Sequence, residues 1–482
     1  SASRQISGVS DIFTLGKDAI VIVADGYWVA HKASRTLQID WDRGALADLN
    51  SESIRAALQQ QLASNNGHNV SLEGAAMAGT TQALEAEYFA PYQAHAPMEP
   101  PNCVAAVATD RVDIWCGNQS PDALQHVIAS ALQRPRETVF IHSQLIGGSF
   151  GRRLYYDYAV EAALISQRIG KPIKLIWSRE DDIRHDLYRP AALSRFRAQL
   201  REGKLIGWEN KIAGPSGKQD VLPAIAERIV AHLPDSVARS INEHFAEHKF
   251  SSAEGATQLL YAIPYLKVDF AECNPGVPFG AWRSVGNSVN GFFVESFIDE
   301  IAQTLQQDPL AFRLSQLKPE ATRARAVLEL VGDKSHWGKV AAGHYQGIAV
   351  FEAFDTVVAE VAEISIEDAQ IKVHKVTCAI DCGRVVNPDI VKAQIESGVI
   401  FALSAALTCE ITIENGAVAQ SNFHDFEPIR MHNAPAVEVH IIPSEASPTG
   451  VGEPGVPPLA AAVGNAIFAA TGKRLRELPF RL

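Results

Sequence analysis

Cysteine is scarce in this chain: there are six in 482 residues, at positions 103, 116, 273, 378, 382 and 409. No two form a Cys-x2-Cys pair, and they are too few to knit a chain of this length together by disulfides. This argues against an iron–sulfur cluster held by this chain alone. Cys378 and Cys382 stand four apart, a spacing that fits either a metal pair or buried strand and turn positions. Basic residues are also short, 43 Lys and Arg against 55 Asp and Glu for a formal net charge of −12. That balance argues against a nucleic-acid partner, which demands a local surplus of cations. No apolar run reaches the roughly 20 residues that cross a bilayer. The most apolar stretch, 459–470, is interrupted by Gly464 and Asn465 and reads as a buried helix. Low-complexity tracts, internal repeats and a visible signal peptide are absent as well.

What is present is ordinary globular composition, 47% hydrophobic and 20% charged, in a chain too long for one core. Residues 20–24 read as a buried strand, 27–37 as a helix and Gln38-Ile39-Asp40-Trp41 as another strand. The polar stretch 43–79, with a helix at 51–64, reads as a connection. Strands are expected at 85–89, 104–109, 112–115, 138–142 and 173–178, with helices at 122–132 and 157–169. A hairpin turning at Gly203 is expected over 193–211, and a charged helical segment over 216–253. Strands at 348–354, 358–367 and 370–379 precede a helix at 388–408, and a last helix runs from Pro457 to Gly472. The pattern predicts an α+β (mixed α/β) fold with large mixed sheets. It divides as 1–50, a connection 51–80, 81–335 and 336–482.

Three loops carry the candidate chemistry. Gly147-Gly148-Ser149-Phe150-Gly151-Arg152-Arg153 lies between a strand and a helix, so its backbone N–H groups can approach an anion. Its two arginines offer donors for phosphate or pterin oxygens. The Gly-x-Gly-x-x-Gly spacing of a dinucleotide loop is absent. In Pro278–Asn287, Arg283 sits between an aromatic and small residues, where it suits either a ligand or a carboxylate such as Glu295. Glu453, in Gly450-Val451-Gly452-Glu453-Pro454-Gly455, fits a general base or a cap at the entry of the Pro457 helix. Two other pairs are weaker. His95 and Glu99 are four apart, but Pro97 and Pro100 forbid the helix that a zinc-binding pair of this spacing needs. His185-Asp186 is either a proton-transfer pair or a polar loop.

These segments occur together with 94–100, Trp177-Ser178-Arg179-Glu180-Asp181-Asp182, Asp381–Pro388 and Ala393-Gln394-Ile395-Glu396-Ser397-Gly398. In this order they resemble the molybdenum-binding large subunit of the xanthine oxidase/aldehyde oxidoreductase family, in the branch of the isoquinoline 1-oxidoreductase β-subunits. The resemblance runs from about residue 19 to 480. It implies a molybdenum-cofactor-binding fold with a partial hammerhead-like α/β unit at the start. It also implies Glu453 as catalytic base, with Gly148, Ser149, Phe150, Gly151, Arg152, Ala281, Trp282, Arg283 and Gln394 binding the cofactor. No side chain is implied as a metal ligand. Ser284 stands where the family's Ala-Phe-Arg-Gly segment has glycine, and Trp282 stands for its phenylalanine.

The resemblance implies a hydroxylase that inserts water-derived oxygen at an electron-poor carbon of an aldehyde or N-heteroaromatic. The cofactor would be molybdopterin, as its cytosine dinucleotide, and electrons would pass to [2Fe-2S] clusters on a partner subunit. The family's Gly-Gln-Gly loop is missing, since Gln346-Gly347 has a strand context. A further polypeptide supplying the N-terminal part of the large subunit is therefore expected. Twin-arginine export of relatives implies a periplasmic location, otherwise a cytoplasmic one. The competing reading is a non-catalytic scaffold subunit that keeps the fold.

Overall fold

The computed structural model describes residues 2–17, 19–76, 82–216 and 253–482. They form two compact units, each assembled from separated stretches of chain. The first comprises Ser1–Leu49, His95–Asp186 and Asn415–Ala417; the second comprises Asn50–Ala94, Leu187–Glu414 and Val418–Leu482.

In the first unit, strands Val9–Leu15 and Ala19–Ala24 pair antiparallel and lead into helix Tyr27–Ser34. A four-stranded mixed sheet follows the order Val139–Ser143, Val112–Cys116, Asn102–Val107, Ile173–Ile176. Its first pair is parallel and the others antiparallel. Val112, Ile114 and Cys116 alternate onto a buried face, as a period of two requires, and pack on Leu124, Ile128, Ala159 and Ala163. Those four residues belong to helices Pro121–Leu132 and Asp157–Ile169. The first has Pro at its first position, and the second stops at Gly170 in the left-handed region.

The second unit holds two mixed sheets. One has the order His68–Glu73, Tyr265–Glu272, Lys204–Gly214, Ala192–Arg201, Gln82–Ala90, with only the Tyr265–Glu272 and Lys204–Gly214 pair parallel. The other runs Tyr345–Ala353, Thr356–Glu367, Gln370–Asp381, Ala436–Ile441, with its last pair parallel. Helix Val285–Thr304 crosses this core with nearly its whole length buried, and it packs on the C-terminal helix Pro457–Thr471. Its acids are balanced inside: Glu295 by Arg313 at 2.8 Å, Asp299 by Arg474 at 2.9 Å and Glu300 by Arg476 at 2.6 Å. Such pairing is what makes a buried charge tolerable.

The mixed α/β expectation matches this architecture, with particular differences. Gln38–Trp41 is exposed and joins no ladder; its alternation has no buried face to serve. The stretch 43–79 is more than a connection, since His68–Glu73 pairs with Tyr265–Glu272 at a sheet edge. The charged segment expected over 216–253 lies, for residues 217–252, outside the described residues. Helix Pro388–Leu407 is long and apolar enough, by length and composition, to cross a membrane. It is nonetheless half buried and carries Asp389, Lys392 and Glu396 near its start, as a core helix does.

Candidate functional site

The loop 147–153 belongs to the first unit. It leaves strand Val139–Ser143 and folds back on the segment that follows His95. Gly147 N–H donates to Glu99 Oε2 at 2.7 Å, and Glu99 N–H donates to Gly147 O at 3.0 Å. A Cβ on Gly147 would lie 2.5 Å from that of Glu99, so only glycine permits this approach. Gly148, Phe150 and Gly151 all have positive φ, at 96°, 58° and 108°. Ser149 Oγ bonds Gln119 and accepts Arg153 N–H at 3.1 Å.

Both arginines turn inward. The Arg152 side chain is fully buried; it forks onto Asp157 at 2.9 and 2.7 Å, and its Nε lies 3.1 Å from Asp186. Burial works against its charge, but the carboxylates of Asp157, Asp186 and Asp182 more than compensate and hold its pKa above the ordinary range. Arg153 donates to Glu99 O at 3.0 Å, Glu99 Oε2 at 2.9 Å and Gly148 O at 3.2 Å. The expectation that these guanidiniums face a ligand is corrected: they are consumed in bracing the loop, because a buried cation requires anionic or carbonyl partners. What the loop presents is backbone together with the half-buried side chains of Ser149 and Phe150. Desolvation tends to raise the Glu99 carboxyl. Hydrogen bonds from Asn102 and Gly147, with the Arg153 charge, hold it below its usual range.

His95 does not meet Glu99. Its backbone N–H donates to Asp186 at 2.6 Å and its Nδ1 lies 2.9 Å from the same carboxylate, both side chains fully buried. His185 turns to Asp181 O at 3.3 Å, so His185-Asp186 is not a pair. Among the described residues no group of three or more His, Cys, Asp or Glu side chains could hold a metal ion.

The remaining candidates lie in the second unit. Ala281 is half-buried. Trp282 is buried, donates Nε1–H to Ala94 O at 3.1 Å and stacks on Phe401 with ring centroids 4.5 Å apart. Arg283 bridges two other segments, the Gly452 loop and helix Pro388–Leu407: Nε donates to Gly452 O at 2.6 Å, Nη1 to Ser397 Oγ at 3.0 Å, and Nη2 to Gln394 O at 3.2 Å and Oε1 at 3.4 Å. The alternative partner, Glu295, is taken by Arg313. Burial pushes the Arg283 pKa down to about 10, with the Glu453 charge opposing. Glu453 is half-buried, and its Oε1 accepts Ser284 N–H at 2.8 Å, while Ser284 Oγ donates to Glu453 O at 2.7 Å. Glu453 thus meets the entry of helix Val285–Thr304. It is not a side-chain cap on the Pro457 helix, towards which only its backbone carbonyl bonds, accepting Val456 N–H at 3.0 Å.

The structure therefore gathers Arg283, Gln394 and Glu453 into one cluster and adds Ser284 and Ser397. Ser397 had a signal in the sequence: it is three residues after Gln394 on a helix, and so shares its face. Ser284 had only its departure from the family glycine. The loop 147–153 lies in the other unit, and each group stands within its own.

Molybdopterin cofactor-binding domain models match residues 58–238 and residues 299–435. The chain is 30% identical over 501 residues to the β-subunit of isoquinoline 1-oxidoreductase of Brevundimonas diminuta, covering 100% of this chain and 62% of that protein. It is also 30% identical over 500 residues to a membrane-bound aldehyde dehydrogenase (pyrroloquinoline-quinone) of Gluconacetobacter polyoxogenes, covering 96% and 62%. With a nicotinate dehydrogenase subunit of Pseudomonas putida the identity is 26% over 507 residues, covering 99% and 41%. The chain thus spans less than two thirds of the length of these relatives. Among solved structures, quinoline 2-oxidoreductase from Pseudomonas putida 86 aligns with TM-score 0.77 at 14% identity, covering 99% of this chain and 90% of that one. Aldehyde oxidoreductase from Desulfovibrio gigas aligns with TM-score 0.75 at 14% identity, covering 99% and 74%. These two show the fold.

Proposed function

The chain carries two molybdopterin cofactor-binding domains and belongs to the molybdenum-binding subunits of the xanthine oxidase family; from this premise we propose that it is the cofactor-bearing part of a hydroxylase acting on an aldehyde or N-heteroaromatic. Glu453 is its base. The observation that carries the reading is the placement of the Glu453 carboxylate beside Arg283 and Gln394, with Oε1 held by Ser284 N–H.

The residues fit a group of this kind. A pterin with phosphates asks for amide donors and acceptors, a cation and close backbone approach. Gln394 offers an amide, Arg283 a buried cation, and Gly452 an exposed backbone with nothing nearer to a Cβ there than Gln394 Oε1 at 3.9 Å. When bound, the molybdenum cofactor supplies the water-derived oxygen and accepts two electrons from the substrate.

The protein's own share is proton handling and orientation. With Oε1 committed to Ser284, Oε2 of Glu453 is the oxygen that takes the proton. Arg283 holds Gly452, next in sequence to Glu453, through its carbonyl. Because Gln394 Oε1 faces Arg283, its Nε2 is left to donate to a ligand oxygen. Substrate class follows relatives named for isoquinoline, nicotinate and aldehyde. The cytosine dinucleotide form of the pterin and a [2Fe-2S] partner subunit complete the proposal.

Metal analysis of the purified complex should find about one molybdenum per chain. Glu453→Gln should retain that molybdenum and lose about 10²- to 10⁴-fold in turnover, the share of a positioned base. Absence of molybdenum from an assembled complex, or near-normal turnover in the variant, contradicts the proposal.

A further inference from the structure

Glu453 is gripped at two points by one residue. Ser284 N–H donates to the carboxylate at 2.8 Å, and its hydroxyl donates to the backbone carbonyl of the same glutamate at 2.7 Å. Ser284 is fully buried, and its hydroxyl lies on a stretch of backbone that resists being there. Its φ is 75°, and that of Val285 is 43°. Two consecutive residues with side chains in the left-handed region are strained, and a β-branched valine there is an outlier. Such strain persists only where surrounding contacts over-determine the conformation. Here they do: Val285 N–H closes a turn onto Trp282 O at 2.6 Å, Ser288 Oγ donates to Val285 O at 2.8 Å, and the preceding Arg283 holds Gly452 O.

A glycine would adopt this φ without cost, but it would have no hydroxyl. The serine accepts the strain and in return its hydroxyl ties the backbone carbonyl of Glu453, fixing the loop so that the carboxylate stays on the Ser284 N–H. A carboxylate on a glycine- and proline-rich loop would otherwise sample several rotamers.

We propose that Ser284 is the positioning residue for Glu453, fixing which carboxylate oxygen faces the reacting centre; this rests on the reading of Glu453 as base. Its role is orientation, so it acts on the turnover step and not on substrate binding.

The test compares Ser284→Gly, which relieves the backbone and removes the hydroxyl, with Ser284→Ala, which keeps the Cβ. Both are made in the intact complex beside Glu453→Gln. Both serine variants should lower kcat by about tenfold with KM within about twofold, at unchanged molybdenum content. Carbodiimide labelling of Glu453 in the resting complex, measured by peptide mass spectrometry, should be faster in both than in the parent. This readout does not depend on turnover. Full kcat and unchanged labelling in both variants, where Glu453→Gln is inactive, would overturn the role of Ser284 alone. An active Glu453→Gln would overturn the base, while the labelling still decides whether Ser284 restrains the carboxylate. Opposite shifts in kcat for Ser284→Gly and Ser284→Ala would overturn the proposal in favour of backbone strain.

Discussion

Gly291 offers a test of the packing that carries the Glu453 loop. It lies in helix Val285–Thr304, and a Cβ added there would sit 2.3 Å from Pro457 O, 2.7 Å from Pro457 C and 2.7 Å from Pro457 Cβ. All three atoms belong to the first residue of the C-terminal helix, four residues after Glu453, and two of them are backbone. They cannot rotate aside, so the helices must part by about 1 Å. In an open helix interior, Gly→Ala stabilises by about 1 kcal/mol. Overpacking of a tight core costs about 1–3 kcal/mol, so the sign should reverse. With all three contacts at 2.7 Å or less and two of the obstructing atoms backbone, the cost lies in the upper part of that range, and Gly291→Ala should be net destabilised by up to about 2 kcal/mol. A shift of about 1 Å in the segment bearing the base should also lower kcat by as much as about 10²-fold. Calorimetry and steady-state kinetics on the same preparation measure both effects. Gly332→Ala serves as control, since there the obstructing atom is Leu310 Cδ2, the movable end of a side chain, at 2.6 Å. A Gly291→Ala protein with raised Tm and parental kcat would refute the close contact as a constraint.

Arg283→Lys should be destabilised by about 2–4 kcal/mol in denaturant titration, because a point charge cannot span Gly452 O, Ser397 and Gln394 together; parental stability would count against the bridge. Glu161 gives a pH signature. Burial pushes its carboxyl from an ordinary 4.5 to about 7, despite the Trp177 hydrogen bond. The folded protein then binds this proton more tightly than the unfolded chain, so stability falls as pH rises from about 4.5 to 7. The shift corresponds to at most about 3 kcal/mol of destabilisation above pH 7. Glu161→Gln should therefore raise Tm at pH 8 more than at pH 5, and an equal effect at both would argue against a buried acid.

Much of the secondary structure was legible because its causes are local. Val112–Cys116 alternates every second residue, Gly203 turns the hairpin, and Gly170 and Gly472 end their helices in the left-handed region. Helix Val285–Thr304 was not legible, since buried apolar, polar and acidic residues share its surface and leave no amphipathic stripe. Gln38–Trp41 misled in the opposite way, alternating like a strand with no sheet to join.

At the site, the sequence alone determined which side chains stand in which loops: a glycine-rich turn at 147–151, an arginine among small residues at 283, and a lone carboxylate at 453. Those features depend on neighbours a few residues away. Only the tertiary structure decided their partners. It turned Arg152 inward to Asp157 and Asp186, gave Glu295 to Arg313 and so left Arg283 to the Gly452 and Gln394 segments, and set Glu453 against Ser284, 169 residues distant. Ion pairing, desolvation and steric contact depend on which distant segments are buried together, and no local pattern encodes that.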